Sequence, residues 1–141
     1  MLIGHAEQGA AFRAAFDAGL MHHAWLLTGP QGIGKATFAD AAAAWLLARA
    51  AGPQTGIAVD SLDIDADHPI ARLLAAGSHL DMRRIERSTD SSGKLRAQIS
   101  IDEVRTLQPL FRHTPALSNW RVVIVDSIDD LNRNAANALL K

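Results

Sequence analysis

The sequence predicts an α/β domain in which a parallel sheet is covered by helices. Three observations predict it. Arg121-Val122-Val123-Ile124-Val125-Asp126 is an apolar, β-branched run, the pattern of a strand with both faces covered. Ala24-Trp25-Leu26-Leu27-Thr28 is a second short apolar run, ended by glycine and proline and followed by a long segment rich in Ala and Leu. The 48% hydrophobic content is mostly Ala, Leu and Ile with no Tyr, which disfavours an all-β fold.

Taken in order, Ala6 to Ala18 predicts a short amphipathic helix, with Phe12 and Phe16 one turn apart and Gly19 as its stop. Ala24 to Thr28 predicts a buried strand, being too short for a core helix. After the turn Gly29 to Gly34, Lys35 to Ala51 predicts a long helix whose small residues allow close approach to a sheet, stopped by Gly52-Pro53. The stretch 54–67 holds Asp60, Asp63, Asp65 and Asp67 without periodicity and predicts an exposed acidic connection. His68 to Ala76 predicts a short helix started by Pro69 and stopped by Gly77.

Leu80 to Ile85 alternates weakly and predicts a strand with Leu80, Met82 and Arg84 on one face and Asp81, Arg83 and Ile85 on the other. Asp90 to Gly93 is a turn. Ser100-Ile101-Asp102-Glu103 is a capping box that opens a helix through Phe111, with Val104, Leu107 and Phe111 as its apolar stripe. Pro109 predicts that this helix bends or ends early. Pro115 to Asn119 is a loop, and Asn132 can cap a last helix from Arg133. That helix reaches Lys141 with no stop signal, which predicts a domain truncated at its C-terminal side, with 1–141 as a partial unit.

Composition narrows the function. The absence of Cys excludes a disulfide framework and Cys-ligated metal sites, and it fits a reducing cytoplasm. His22, His23, His68, His79 and His113 have no metal-ligand spacing beyond adjacency. The formal charge of -1 is less basic than a free-standing nucleic-acid binder usually carries. A local basic cluster, Arg83, Arg84, Arg87, Lys94 and Arg96 against Glu86 and Asp90, could meet DNA or a neighbouring protein. The most apolar stretch, Ala39 to Ala51, is too short for a membrane span and contains Arg49; Met1 to Gly9 lacks the basic start of a signal peptide.

The most specific chemistry lies at Gly29-Pro30-Gln31-Gly32-Ile33-Gly34-Lys35, between a predicted strand and a predicted helix. This spacing is that of a Walker A phosphate loop up to its last position. Glycines let several backbone N–H groups turn inward, the helix end adds positive potential, and Lys35 can reach the β- and γ-phosphates. Ala36 then stands where a Ser or Thr hydroxyl would hold Mg²⁺. Thr37 is one residue later, roughly 100° further around a helix. The glycine spacing does not fit a dinucleotide fingerprint.

Asp126 ends its strand where a Walker B aspartate holds Mg²⁺ directly or through water. The next position, where a base would polarise the attacking water, is Ser127, a poor general base. Asp129 and Asp130 lie two and three residues beyond it. A phosphate cradle with no hydrolytic carboxylate is the result.

Four stretches together resemble the AAA+ clamp-loader family of bacterial DNA polymerase III, and within it the N-terminal part of the delta-prime type. They are His22 to Lys35, Ile101 to Arg105, Asn119 to Asp126, and Leu131 to Lys141 with its Asn-Ala-Leu-Leu-Lys ending. The resemblance covers almost the whole chain, 54–67 being least typical. It implies a three-layer αβα P-loop NTPase fold with a parallel sheet, and a subunit of a hetero-pentamer that places a sliding clamp on primed DNA. By the same resemblance Gly29, Pro30, Gln31, Gly32, Ile33, Gly34, Lys35, Ala36, Thr37 and Asp126 line a site for ATP, with Asp126 as the metal position for Mg²⁺.

Ala36 and Ser127 depart from the hydrolysing relatives and imply a structural subunit that can hold nucleotide but hydrolyses it poorly. The family's four-cysteine zinc module has no counterpart between Gly52 and His79, so no zinc is expected. The family's strand order also implies that the strand at Ala24 neighbours strands beyond Lys141, leaving exposed apolar edges. Two alternatives remain: an active ATPase in which Thr37 and Asp129 or Asp130 compensate, and a scaffold without a nucleotide site.

Overall fold

The computed structural model describes residues 2–140 and divides into two compact units, 1–79 and 80–141, each treated by itself. It is a mixed α/β chain with six α-helices and a two-stranded parallel sheet among the described residues. Lys141, the end of the Leu131–Lys141 resemblance, lies outside the described residues, as does Met1.

In the first unit, α1 (Ala6–Asp17) packs on α2 (Lys35–Ala51) through aromatic rings. Phe12 and Phe16, one turn apart, meet Trp45 edge-on at centroid distances of 6.3 and 5.3 Å, and Trp45 is only 2% exposed. The Arg49 guanidinium lies over the rings of Phe16 and Trp45 and pairs with Asp17 at 2.9 Å, joining the C-terminal ends of both helices. Ala42, Ala43 and Ala48 are buried on α2 beside Leu46 and Leu47, but the helix packs on α1 and α3, with no strand of its own unit among the described residues for the expected close approach to a sheet. After α2 the chain returns to α3 (Pro69–Ala75) through the buried His68, whose Nε2 donates to the Pro53 carbonyl at 2.8 Å. Nδ1 of the same ring accepts from the N–H of Ile70 and caps α3.

The stretch 54–67 folds back on itself between those helices. An antiparallel bridge joins Ile57 to Ile64, and Leu62 is buried beneath α1 beside Gly9. Asp60, Asp65 and Asp67 are exposed, and Asp63 is half-buried with a hydrogen bond from the Ser61 hydroxyl.

Ala24 to Thr28 is not the buried strand that its apolar run predicts. The segment has no strand assignment, and Leu26 is 71% exposed. A strand exists only where a neighbour completes its hydrogen-bond ladder, and none of the described residues supplies one here. Trp25, also exposed, meets Phe12 in a tilted ring contact at 5.2 Å.

In the second unit, β1 (Met82–Glu86) pairs in parallel with β2 (Val122–Asp126), in the register Met82 with Val122 through Glu86 with Asp126. The strand starts two residues later than the expected Leu80, and of the two expected faces the one with Asp81 and Ile85 holds the buried residues, whereas Leu80 is exposed. Asp81 is buried because its carboxylate accepts from the N–H groups of Ala116 and Leu117 at 2.7 and 2.9 Å, pinning the 115–119 loop. Full cover of both faces of β2 is also corrected, since only Ile124 is buried and its neighbours are half-buried. A two-stranded sheet leaves β2 with one paired edge.

Ile85, Ile99, Val104, Leu107 and Ala135 form the core of this unit. The helix that begins at Ser100 breaks into α4 (Ile101–Arg105) and α5 (Gln108–Arg112). Pro109 explains the break, because it has no N–H to donate and its ring crowds the carbonyl of Arg105. The rotation puts Leu110 inside and Phe111 outside, so Phe111 leaves the expected stripe. After β2, a 3-10 turn (Ile128–Asp130) leads to α6 (Arg133–Leu139), where Asn132 Oδ1 accepts from the N–H of Ala135.

Two outcomes follow. A Cβ at Gly52 would lie 2.4 Å from His68 Cε1 and 3.0 Å from the Ala48 carbonyl. Gly52→Ala should therefore destabilise the chain by about 1–3 kcal/mol, read by chemical denaturation. At Glu103, burial raises the carboxyl pKa, but hydrogen bonds from the Ser100 and Ser88 hydroxyls and the Ser100 N–H hold it below the ordinary 4.5. A depressed folded value means the stabilisation is complete above pH 4.5 and is lost as pH falls through that lower value. The stability gap between the natural chain and Glu103→Gln should accordingly shrink on acidification, and a constant gap from pH 7 to 3 would contradict this.

Candidate functional site

The turn from Gly29 to Gly34 enters α2 through three glycines in the left-handed region, with φ of 144° at Gly29, 82° at Gly32 and 98° at Gly34. Side chains are strained at such angles, so these positions demand glycine. Gly34 is the residue that opens α2, and no side chain caps the helix there. The first intrahelical bond runs from the N–H of Phe38 to the Gly34 carbonyl at 2.8 Å. The N–H groups of Lys35, Ala36 and Thr37 precede it and have no acceptor within the helix. The positive end of a 17-residue helix is thus left open at a turn that is itself exposed over Gly29 to Ile33.

Lys35 Nζ donates to the carbonyls of Gly29 and Pro30 at 2.8 and 2.7 Å, spanning the mouth of the turn. On the far side, the His5 ring donates from Nε2 to the Ile33 carbonyl at 2.8 Å. Ala36 offers no oxygen, and Thr37 is exposed one position further on. Gly29, Pro30, Gln31, Gly32, Ile33, Gly34, Lys35, Ala36 and Thr37 therefore form one continuous local feature. His5 was not legible as part of it, since 28 residues separate it from Ile33 and no motif links them.

Asp126 belongs to the second unit, at the end of β2. Its Oδ2 accepts from Arg84 Nη2 at 2.7 Å, and Arg84 Nε lies 3.4 Å from Glu86 Oε2. The register explains this fork. Glu86 is the direct partner of Asp126 across the sheet, and like charges facing each other are unfavourable unless a cation stands between them. Arg84 supplies the cation.

The basic cluster is largely engaged within its own unit. Arg83 donates to the Met82 carbonyl at 2.8 Å, Arg84 holds Asp126, and Arg87 Nε lies 3.5 Å from Asp130 Oδ2. Lys94 and Arg96 sit on the exposed turn after Asp90. Asp129 is exposed, while Asp130 is committed to Arg87 and, through its carbonyl, to the N–H of Ile99. Among the described residues no group of three His, Cys, Asp or Glu side chains could hold a metal ion, and no helix is long and apolar enough to cross a membrane.

The family described as DNA polymerase III, delta subunit, matches residues 4–141 of the chain. The chain belongs to this family. Its relatives include DNA polymerase III subunit gamma of Buchnera aphidicola from Acyrthosiphon pisum, 30% identical over 140 residues, which are 99% of this chain and 34% of that protein. Subunit delta' of Pseudomonas aeruginosa is 36% identical over 121 residues, 84% of this chain and 32% of the relative. Subunit tau of Escherichia coli is 26% identical over 140 residues, 99% and 19% respectively. The chain thus spans about a third or less of these relatives. Gamma, tau and delta' proteins all match this DNA polymerase III family member, in agreement with the family resemblance drawn from the sequence.

The Arg84–Asp126 contact can be measured. Side chains 28% and 40% exposed should couple by only about 0.2–1 kcal/mol in a double-mutant cycle of Arg84→Ala and Asp126→Ala. Removing Arg84 alone should cost more than removing Asp126 alone, because it leaves Glu86 and Asp126 face to face.

Proposed function

We propose that this chain is the nucleotide-domain part of a clamp-loader subunit of DNA polymerase III, one that holds the phosphates of ATP but hydrolyses ATP poorly. The observation that carries the reading is the left-handed glycine turn opening onto the uncapped start of α2, with Lys35 at its mouth. Backbone N–H groups between Gly32 and Thr37 would face phosphate oxygens, and Lys35 would exchange its two carbonyl partners for them. On this reading the domain is a P-loop NTPase of the AAA+ type with a three-layer αβα plan. It works in the cytoplasm within a hetero-pentamer that acts on a sliding clamp and primed DNA. The delta-prime type rests on the resemblance of the four stretches, and Ala36 and Ser127 suit a structural subunit better than a hydrolysing one.

The residues present do not fit a firmly held Mg²⁺. Position 36 has no hydroxyl, and the Asp126 carboxylate is already engaged by Arg84. For an active ATPase built on Thr37 with Asp129 or Asp130, Asp130 would have to leave its ion pair with Arg87, whereas Asp129 is exposed. The scaffold reading has one observation in its favour: the Lys35 ammonium is satisfied by Gly29 and Pro30 without any ligand.

Titration of labelled ATP into the full-length protein, with and without Mg²⁺, separates these readings. Saturable binding that changes little with Mg²⁺ and weakens by roughly tenfold or more in Lys35→Ala is expected, with no turnover even beside partner subunits and primed DNA. No binding at millimolar ATP would establish the scaffold instead. Turnover that Lys35→Ala abolishes would establish the active ATPase.

A further inference from the structure

His5 is the one non-glycine among the described residues whose backbone lies in the left-handed region, with φ of 59°. It occupies the residue before α1, where a side chain usually accepts from the first helical amides, yet it makes no such cap. Its imidazole instead reaches across to the turn that precedes α2. Nε2 lies 2.8 Å from the Ile33 carbonyl, and because a carbonyl only accepts, that nitrogen carries the proton. The ring edge also meets Phe38 at a centroid distance of 6.2 Å and an interplanar angle of 80°. Phe38 is buried and its N–H makes the first intrahelical bond of α2, to Gly34. A Cβ at Gly34 would stand 3.6 Å from His5 Nε2, so the ring lies directly against that glycine. One side chain therefore grips both the last peptide of the turn and the first turn of the helix.

The geometry points to His5 as a positioning residue for the anion cradle, a role that rests on the phosphate-binding reading above. A trans peptide directs its C=O and N–H to opposite sides. Holding the Ile33 carbonyl against His5 turns the Gly34 N–H away from it, toward the open face of the turn. Lys35 ties the carbonyls at positions 29 and 30, so the two side chains restrain opposite ends of the same turn. The strained backbone at His5 is compensated by aiming its ring at the loop instead of at its own helix.

Two variants separate the hydrogen bond from the packing. His5→Phe keeps a ring against Phe38 and loses the donor, whereas His5→Gln places an amide N–H near the position of Nε2. Amide hydrogen exchange of the ligand-free full-length chain should quicken at Phe38, whose N–H bonds the Gly34 carbonyl, by about tenfold in His5→Phe and stay within about threefold of the natural chain in His5→Gln. ATP should bind about tenfold more weakly to His5→Phe and nearly normally to His5→Gln. Unchanged exchange in His5→Phe, or a His5→Gln variant that behaves like His5→Phe, would overturn the positioning role. If the exchange difference appears but ATP binds to none of the three proteins, His5 positions the turn and the nucleotide reading is the part that fails. Equal ATP affinity in all three would overturn the role in binding while leaving the nucleotide reading intact.

Discussion

The first turn of an α-helix carries amide groups that the helix cannot satisfy, and the chain meets this constraint differently at each helix start. His68 Nδ1 caps α3, a Ser100–Glu103 capping box closes α4, and Asn132 caps α6. The longest helix, α2, receives no cap. Its opening residue is a glycine at φ of 98°, preceded by two further glycines in the left-handed region. The starts of α1 and α5 also lack a side-chain cap, but α2 is the longest of the three and opens at an exposed glycine turn, where its end carries positive potential. The rest of the first unit supports that point: α1 braces α2 through Phe12, Phe16 and Trp45, and His5, at the head of α1, reaches the turn itself.

Charge in the second unit is arranged for internal balance. The register sets Glu86 beside Asp126, and Arg84 answers both carboxylates. Arg87 answers Asp130, and Arg83 turns back on its own strand's carbonyls. A cluster that reads in sequence as a patch for DNA or protein is in three dimensions mostly a set of local pairs. Each pair is partly exposed and weak by itself, yet together they leave only Lys94 and Arg96 of that cluster on an open turn.

Features governed by local chemistry were legible in the sequence. The bounds of α2, the capping box at Ser100, the cap at Asn132 and the break at Pro109 each depend on residues within one or two turns. Features governed by distant partners were not. Ala24 to Thr28 has the composition of a buried strand, but apolar composition cannot supply a neighbouring ladder. The burial of Asp81 could not be read, because it looks like a solvent residue until its two amide donors, 35 and 36 residues away, are known. At the candidate site the glycines, Lys35 and the missing hydroxyl at Ala36 could all be read directly. The His5 contact and the engagement of Asp126 by Arg84 could not, since neither follows from spacing.

On the proposed reading, the groups present at the glycine turn bear on whether bound phosphate would be retained or turned over. Retention needs groups complementary to the ground-state charge of the phosphates, and fixed backbone amides with one lysine supply that. Turnover needs additional stabilisation of charge that develops only as the bond to the leaving group breaks, together with a group to orient the attacking water. On the same reading, Ala36 and Ser127 would each lack one of those extra elements. His5 and Lys35 act in the opposite sense, since a turn already held at both ends loses little freedom when a phosphate arrives. On the proposed reading, a cradle pre-formed for the ground state and without transition-state groups would suit a subunit that holds nucleotide as part of its structure.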